Sequence, residues 1–129
     1  MAGASSEPTA SSQERDQLQV ELIDEVCWFF PELKFVMRHG GHPWEDLAVK
    51  LMLKYPNLYY STSAYAPRYY PKAVVDYANS RGKHKVMYAG YFPMGLSLER
   101  IFSELPSVPF KDEVWPLFLR DNAKRVFGL

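Results

Sequence analysis

The chain has 129 residues, 47% hydrophobic, 16% aromatic and 23% charged, with fifteen Lys and Arg against fifteen Asp and Glu. Such a size and apolar content suit one folded domain and exclude global disorder. A formal charge of zero excludes a general electrostatic hold on nucleic acid or an anionic membrane, and the lone Cys27 excludes an internal disulfide or a cysteine-rich zinc site.

Residues 1–13 are almost all Ala, Ser, Gly, Pro, Thr, Glu and Gln. They read as a disordered tail, which leaves 14–129 to pack. The start lacks the basic opening and apolar run of a signal peptide. No apolar run nears the roughly 20 residues that span a bilayer, so the expectation is a soluble, cytoplasmic protein. From Glu14 to Phe30, Leu18, Leu22 and Val26 join Val20, Ile23, Cys27 and Phe30 at steps of three and four, the pattern of a helix face. Pro31 ends that helix.

Leu33 to Arg38 reads as a short strand, followed by a turn at His39-Gly40-Gly41-His42-Pro43. A helix follows in which Trp44, Leu47, Ala48, Leu51 and Tyr55 share a face. The pattern then repeats. Leu58 to Ser61 is strand-like, and Tyr70, Ala73, Val74 and Tyr77 mark another helix face. His84 to Ala89 reads as strand and Ser97 to Leu105 as a short helix. Val114, Leu117, Phe118, Ala123, Val126 and Phe127 mark a last helix with a bend near Arg120-Asp121.

The strand centres Phe35, Leu58 and Met87 lie 23 and 29 residues apart with helices between them, which predicts parallel strands and an α/β fold. A (β/α)₈ barrel uses about 250 residues, roughly 31 per unit. The packable residues therefore make about three units plus a preceding helix, the C-terminal portion of a TIM-like barrel.

In a parallel fold, chemistry gathers at the carboxyl ends of the strands. Those ends carry His39, then Ser61, Thr62 and Ser63, then Gly90 and Tyr91. An imidazole, three hydroxyls and a phenol would face one another there. On pattern alone, His39 reads first as a hydrogen-bonded structural histidine with Gly40-Gly41 a simple turn. His-Gly-Gly also occurs in the oxyanion loop of α/β-hydrolases, but that chemistry needs a G-x-S-x-G elbow. Gly95-Leu96-Ser97-Leu98-Glu99 lacks the last glycine. With His39, His42 and His84 the only histidines and no H-x-H or H-E-x-x-H pair, a metal site from this chain alone is not expected.

Four segments in order carry a resemblance: Phe35 to Trp44 (FVMRHGGHPW), Tyr55 to Tyr59 (YPNLY), Val86 to Gly95 (VMYAGYFPMG) and Asp121 to Leu129 (DNAKRVFGL). From about Leu18 to Leu129 the chain resembles the amidohydrolase-related family, the metal-dependent hydrolases similar to aminocarboxymuconate-semialdehyde decarboxylase. The resemblance implies the helix before strand six through strand eight and the last helix of a distorted (β/α)₈ barrel. It places strands one to five, the amino-terminal H-x-H pair and a further metal ligand outside this chain.

His39 matches the family histidine that sits beside the metal and orients or deprotonates water. Where the family has Ser-Asp after its last strand, this chain has Gly90-Tyr91, a phenol for a carboxylate. With His39, Tyr91 is expected to be catalytic, its phenol donating a hydrogen bond to a substrate oxygen, and Ser61, Ser63 and Trp44 are expected to bind substrate. A divalent metal such as zinc belongs to the complete fold, with none held by this chain alone. The expected activity is hydrolysis or decarboxylation of a small organic substrate, weak or absent in the chain by itself. The alternative is a non-catalytic interaction protein. Neither nucleic acid nor membrane is an expected partner, and an exposed strand edge is expected to drive self-association.

Overall fold

A computed structural model describes residues 22–39 and 42–129. The tail at 1–13, the opening of the helix read from Glu14, and Gly40-Gly41 lie outside the described residues. The chain runs α1 (22–29), β1 (Phe35–Met37), α2 (Glu45–Lys54), β2 (Leu58–Ser61), α3 (Lys72–Ala78), β3 (Val86–Met87) and α4 (Leu98–Glu104). It closes with α5 (Val114–Pro116), a π turn (Leu117–Asp121) and α6 (Asn122–Phe127).

The strands form one parallel sheet in the order β1-β2-β3. Phe35, Val36 and Met37 face Leu58, Tyr59 and Tyr60, while Tyr60 and Ser61 face Val86 and Met87. Each connection carries a helix, as parallel pairing requires. This is part of a TIM-like α/β barrel.

Side-chain periodicity explains the core. Ala48, Leu51, Met52 and Tyr55 of α2 and its end fall at i, i+3, i+4 and i+7, and all are buried. They join Met37, Leu58, Tyr60 and Val86 from the sheet and Val74, Val75, Tyr77 and Ala78 from α3. Leu47 corrects the sequence reading: one residue before that stripe, it is turned out and 40% exposed, while Met52, which the sequence reading does not include, is buried. Phe127 is likewise exposed rather than packed. The last strand is shorter than read, because His84 and Lys85 form its approach and only Val86–Met87 pair.

The expected bend of the last helix is the π turn. Widening a helix by one residue releases a carbonyl from the intrahelical pattern, and the carbonyl of Phe118 accepts the amide of Tyr88 at 2.9 Å. That bond ties the segment after β3 to the helix. Phe118 is buried among the rings of Tyr70, Tyr88, Phe110 and Trp115.

Polar side chains fasten the amino ends of the strands. Lys85 Nζ donates to the carbonyls of Met52, Tyr55 and Pro56 at 3.3, 2.8 and 3.3 Å, capping the last turn of α2. Burial pushes its ammonium down to about 8. Asn57 donates to the carbonyls of Leu33 and Phe30, holding the chain that leads into β1. Asp24 of α1 accepts from Tyr55 Oη at 2.5 Å and Lys54 Nζ at 2.9 Å, and these bonds hold its carboxyl below the usual range.

Asn122, wholly buried, donates to the carbonyls of Lys83 and Val86 at 2.7 and 2.9 Å, and Arg125 donates to the carbonyl of His84. The Asn-Ala-Lys-Arg segment of the sequence thus clips α6 to the start of β3. Asn122→Ala removes a donor from two carbonyls, one of them buried. It is expected to lower stability by about 1–3 kcal/mol, read as a lower urea midpoint at unchanged slope. An unchanged midpoint would show that the clip contributes nothing.

Candidate functional site

Parallel pairing brings the three carboxyl ends to one side of the sheet, so residues far apart in sequence meet there. His39 stands two residues past β1 with φ +55°, in the left-handed region. Histidine adopts this region more readily than most residues, yet still at a cost, so surrounding contacts must hold it there. The loop after β2 supplies them. The His39 amide donates to Ser63 Oγ at 3.0 Å, and Nδ1 of its ring lies 3.0 Å from Ser63 Oγ and 3.3 Å from the Ser63 carbonyl. Tyr65 Oη donates to the His39 carbonyl at 3.4 Å.

Alternation in the extended Ser61-Thr62-Ser63 segment sends neighbouring side chains to opposite sides. Ser61 and Ser63 turn toward β1, with Oγ atoms 3.3 Å apart, and Ser61 Oγ donates to the Met37 carbonyl at 3.3 Å. Thr62 turns toward β3 instead. Its Oγ1 accepts the Ala89 amide at 3.2 Å and donates to Tyr70 Oη at 3.3 Å. Burial pushes the Tyr70 phenol up to about 12, so it stays a neutral hydrogen-bonding group. Thr62 therefore staples the β3 loop beside the β2 loop.

That loop delivers Tyr91, whose ring meets the His39 ring edge-on at 6.2 Å and 80°. Trp44 stands at the start of α2, packed against the core, with its indole N–H buried and without a partner. Tyr60 Oη, on β2, is the other buried polar side-chain atom without a partner among the described residues. Desolvation raises the Tyr60 phenol well above its usual range. His42 points elsewhere: its Nδ1 lies 2.6 Å from Glu45 Oε2 and its ring meets Tyr65 at 6.0 Å. With Glu45, Ala64, Tyr65 and Tyr69 it lines a cleft of about 520 Å³ beside the strand ends.

The structure thus gathers His39, Ser61, Ser63 and Tyr91, and sets Trp44 at the start of α2, packed against the core. Sequence reasoning missed Tyr65, which holds the His39 carbonyl, and Thr62 as the link between loops. It also missed Ala64, left-handed at φ +77° where the β2 loop turns. The Ser-Thr-Ser alternation was the available signal for Thr62; nothing local marks Tyr65.

A divalent metal held tightly takes three or more protein ligands. Among the described residues no three His, Cys, Asp or Glu side chains converge. The strand ends offer the His39 imidazole, hydroxyls and the Tyr91 phenol, while His42 is engaged with Glu45. By themselves these donors do not fit such an ion.

A family model described as amidohydrolase matches residues 3–129. The match starts ahead of Leu18, from about which the sequence resemblance runs. Among solved structures, an uncharacterised TIM-barrel protein from Bordetella bronchiseptica is similar, with a TM-score of 0.75 and 28% identity over 84% of this chain. The chain spans 38% of the length of that barrel. No curated protein matches the chain. No helix among the described residues is long and apolar enough to cross a membrane.

Proposed function

The chain belongs to the amidohydrolase family, and from that premise we propose that it carries the proton-accepting side of an amidohydrolase site. The reaction, in a complete barrel, is hydrolysis or decarboxylation of a small organic substrate. The observation behind this reading is His39, held in a left-handed backbone at a strand's carboxyl end with Tyr91 against its ring. Imidazole exchanges a proton near neutral pH, so His39 takes one from an attacking water. Tyr91 donates a hydrogen bond to the substrate oxygen on which charge develops. Trp44 is assigned to substrate binding on its place at the start of α2, directly after the loop that follows β1. The four motifs in order support the branch similar to aminocarboxymuconate-semialdehyde decarboxylase.

The test is co-expression with the part of the Bordetella barrel that this chain does not match, assayed on a panel of small carboxylates and cyclic amides. His39→Ala should abolish turnover. Tyr91→Phe should lower kcat/KM by about tenfold or more, since one lost donor to a developing charge removes on the order of 2–4 kcal/mol. Equal rates for wild type and Tyr91→Phe would remove the phenol from the mechanism.

The family's usual divalent metal needs ligands beyond His39. The chain alone is therefore expected to hold zinc, iron or manganese weakly and to turn over slowly or not at all. Elemental analysis after dialysis against a chelator should give far less than one metal per chain. One tightly held ion would contradict this and would direct attention to His42.

The reading as a non-catalytic interaction protein draws on the edges of the sheet. In the described sheet β1 and β3 each pair on one side only, and Trp28, Phe29 and Phe30 are more than half exposed. Open edges and apolar surface are templates for association. Copies of a three-stranded unit give six or nine strands, not the eight of the barrel, so association should be open-ended. Size-exclusion chromatography should show self-association; a monodisperse, cooperatively melting monomer at roughly tens of micromolar would rule it out.

A further inference from the structure

Proton accounting around His39 reaches past its identity as a base. The Met37 carbonyl can only accept, so the Ser61 hydroxyl spends its one proton there. The 3.3 Å contact between Ser61 and Ser63 then needs the proton of Ser63. With that proton committed, Ser63 Oγ has only lone pairs left to offer, and it faces two groups of His39. One is the backbone N–H, a donor by necessity. The other is Nδ1 at 3.0 Å. Nδ1 also lies 3.3 Å from the Ser63 carbonyl, a second pure acceptor. Two acceptors meeting one ring nitrogen require a proton on that nitrogen. Ser61 and Ser63 are both buried, so water does not readily substitute for either partner.

We propose that Ser63, oriented by Ser61, is a positioning residue that holds His39 as its Nδ1–H tautomer and leaves Nε2 as the basic nitrogen. The last clause rests on the proposed function; the tautomer does not. The same two serines that the sequence places at a substrate site thus have their hydroxyls directed at β1 and His39. No hydrogen bond engages Nε2 among the described residues, and Tyr91 lies against the ring edge-on. Ser63 does two jobs with one oxygen: it stabilises the left-handed backbone through the amide and selects the ring's proton through Nδ1. A histidine without such acceptors is free to carry its proton on Nε2, which would turn the open nitrogen from a base into a donor.

The experiment is long-range proton–nitrogen NMR on the ¹⁵N-labelled full chain at about pH 8.5, above the ordinary imidazole range, with His39 assigned by its loss in His39→Gln. The wild type should show a protonated Nδ1 and an unprotonated Nε2. Ser63→Ala removes the acceptor, and Ser61→Ala frees the Ser63 proton to turn toward Nδ1. Each should move the tautomer ratio toward Nε2–H by about threefold or more, the scale of one hydrogen bond. Ser63→Thr, which keeps the hydroxyl, should restore the wild-type pattern. Tyr65→Phe loosens the His39 carbonyl without touching the ring, and should leave the ratio unmoved, as a purely structural disturbance of the loop would not. If Ser63→Ala fails to fold, Ser61→Ala decides. A wild-type ring protonated on Nε2, or an unchanged ratio in a folded Ser61→Ala chain, overturns the proposal. A shifted tautomer with unchanged turnover in the completed barrel leaves the clamp standing and refutes His39 as base.

Discussion

Everything at the candidate site depends on β2 pairing in parallel with both of its neighbours. Parallel register makes the three strands end on the same side, so each strand's following loop opens beside the next. His39, Ser63 and Tyr91 come from three loops and share no sequence proximity. A reversal of one strand would put its loop at the opposite end, and no local repair could bring these groups together. Parallel pairing in turn requires crossovers, and α2 and α3 supply them with the buried stripes that close the core over the sheet.

The two ends of the sheet divide the labour. At the amino ends, Asn57, Lys85, Asn122 and Arg125 spend their donors on backbone carbonyls of neighbouring segments, which fixes how helices and strands join. At the carboxyl ends, hydroxyls carry the contacts, and the backbone departs from common geometry at His39 and Ala64. Strain of this kind persists where surrounding bonds over-determine it. Ser63 and Tyr65 provide that over-determination for His39, one through its amide and ring and the other through its carbonyl. The pattern is that of a barrel, whose lower face keeps the fold and whose upper face is shaped for chemistry.

The Gly90-Tyr91 pair shows why the strand-end position matters more than the residue type expected there. A carboxylate at this point would bring charge beside the His39 ring. The phenol brings an edge-on aromatic contact and a neutral donor instead. Thr62 holds this loop in place through the Ala89 amide and Tyr70, so Tyr91 is carried by a braced segment. Bracing of that kind is what converts a side chain near a histidine into one with a fixed relation to it.

Much of this was determined by the sequence alone, and for physical reasons. Strand–helix alternation with centres at Phe35, Leu58 and Met87 specified parallel pairing, because short strands separated by helices have few other ways to pair. The carboxyl-end rule then drew His39, Ser61, Ser63 and Tyr91 to one side. The Asn122 to Arg125 segment could be recognised, though its role as a clip to β3 could not. Tertiary structure alone decided the rest. Leu47 falls outside the buried face and Met52 inside it because each residue step rotates the helix by about 100°, and the edges of a face are finer than a periodic pattern resolves. The hold of Tyr65 on the His39 carbonyl spans 26 residues, and no local rule encodes a bond at that separation. The direction of the Ser61 and Ser63 protons follows from which acceptors surround them in space. A sequence names the hydroxyls at a strand end; only the packed loops determine whether those hydroxyls face a substrate or the histidine beside it.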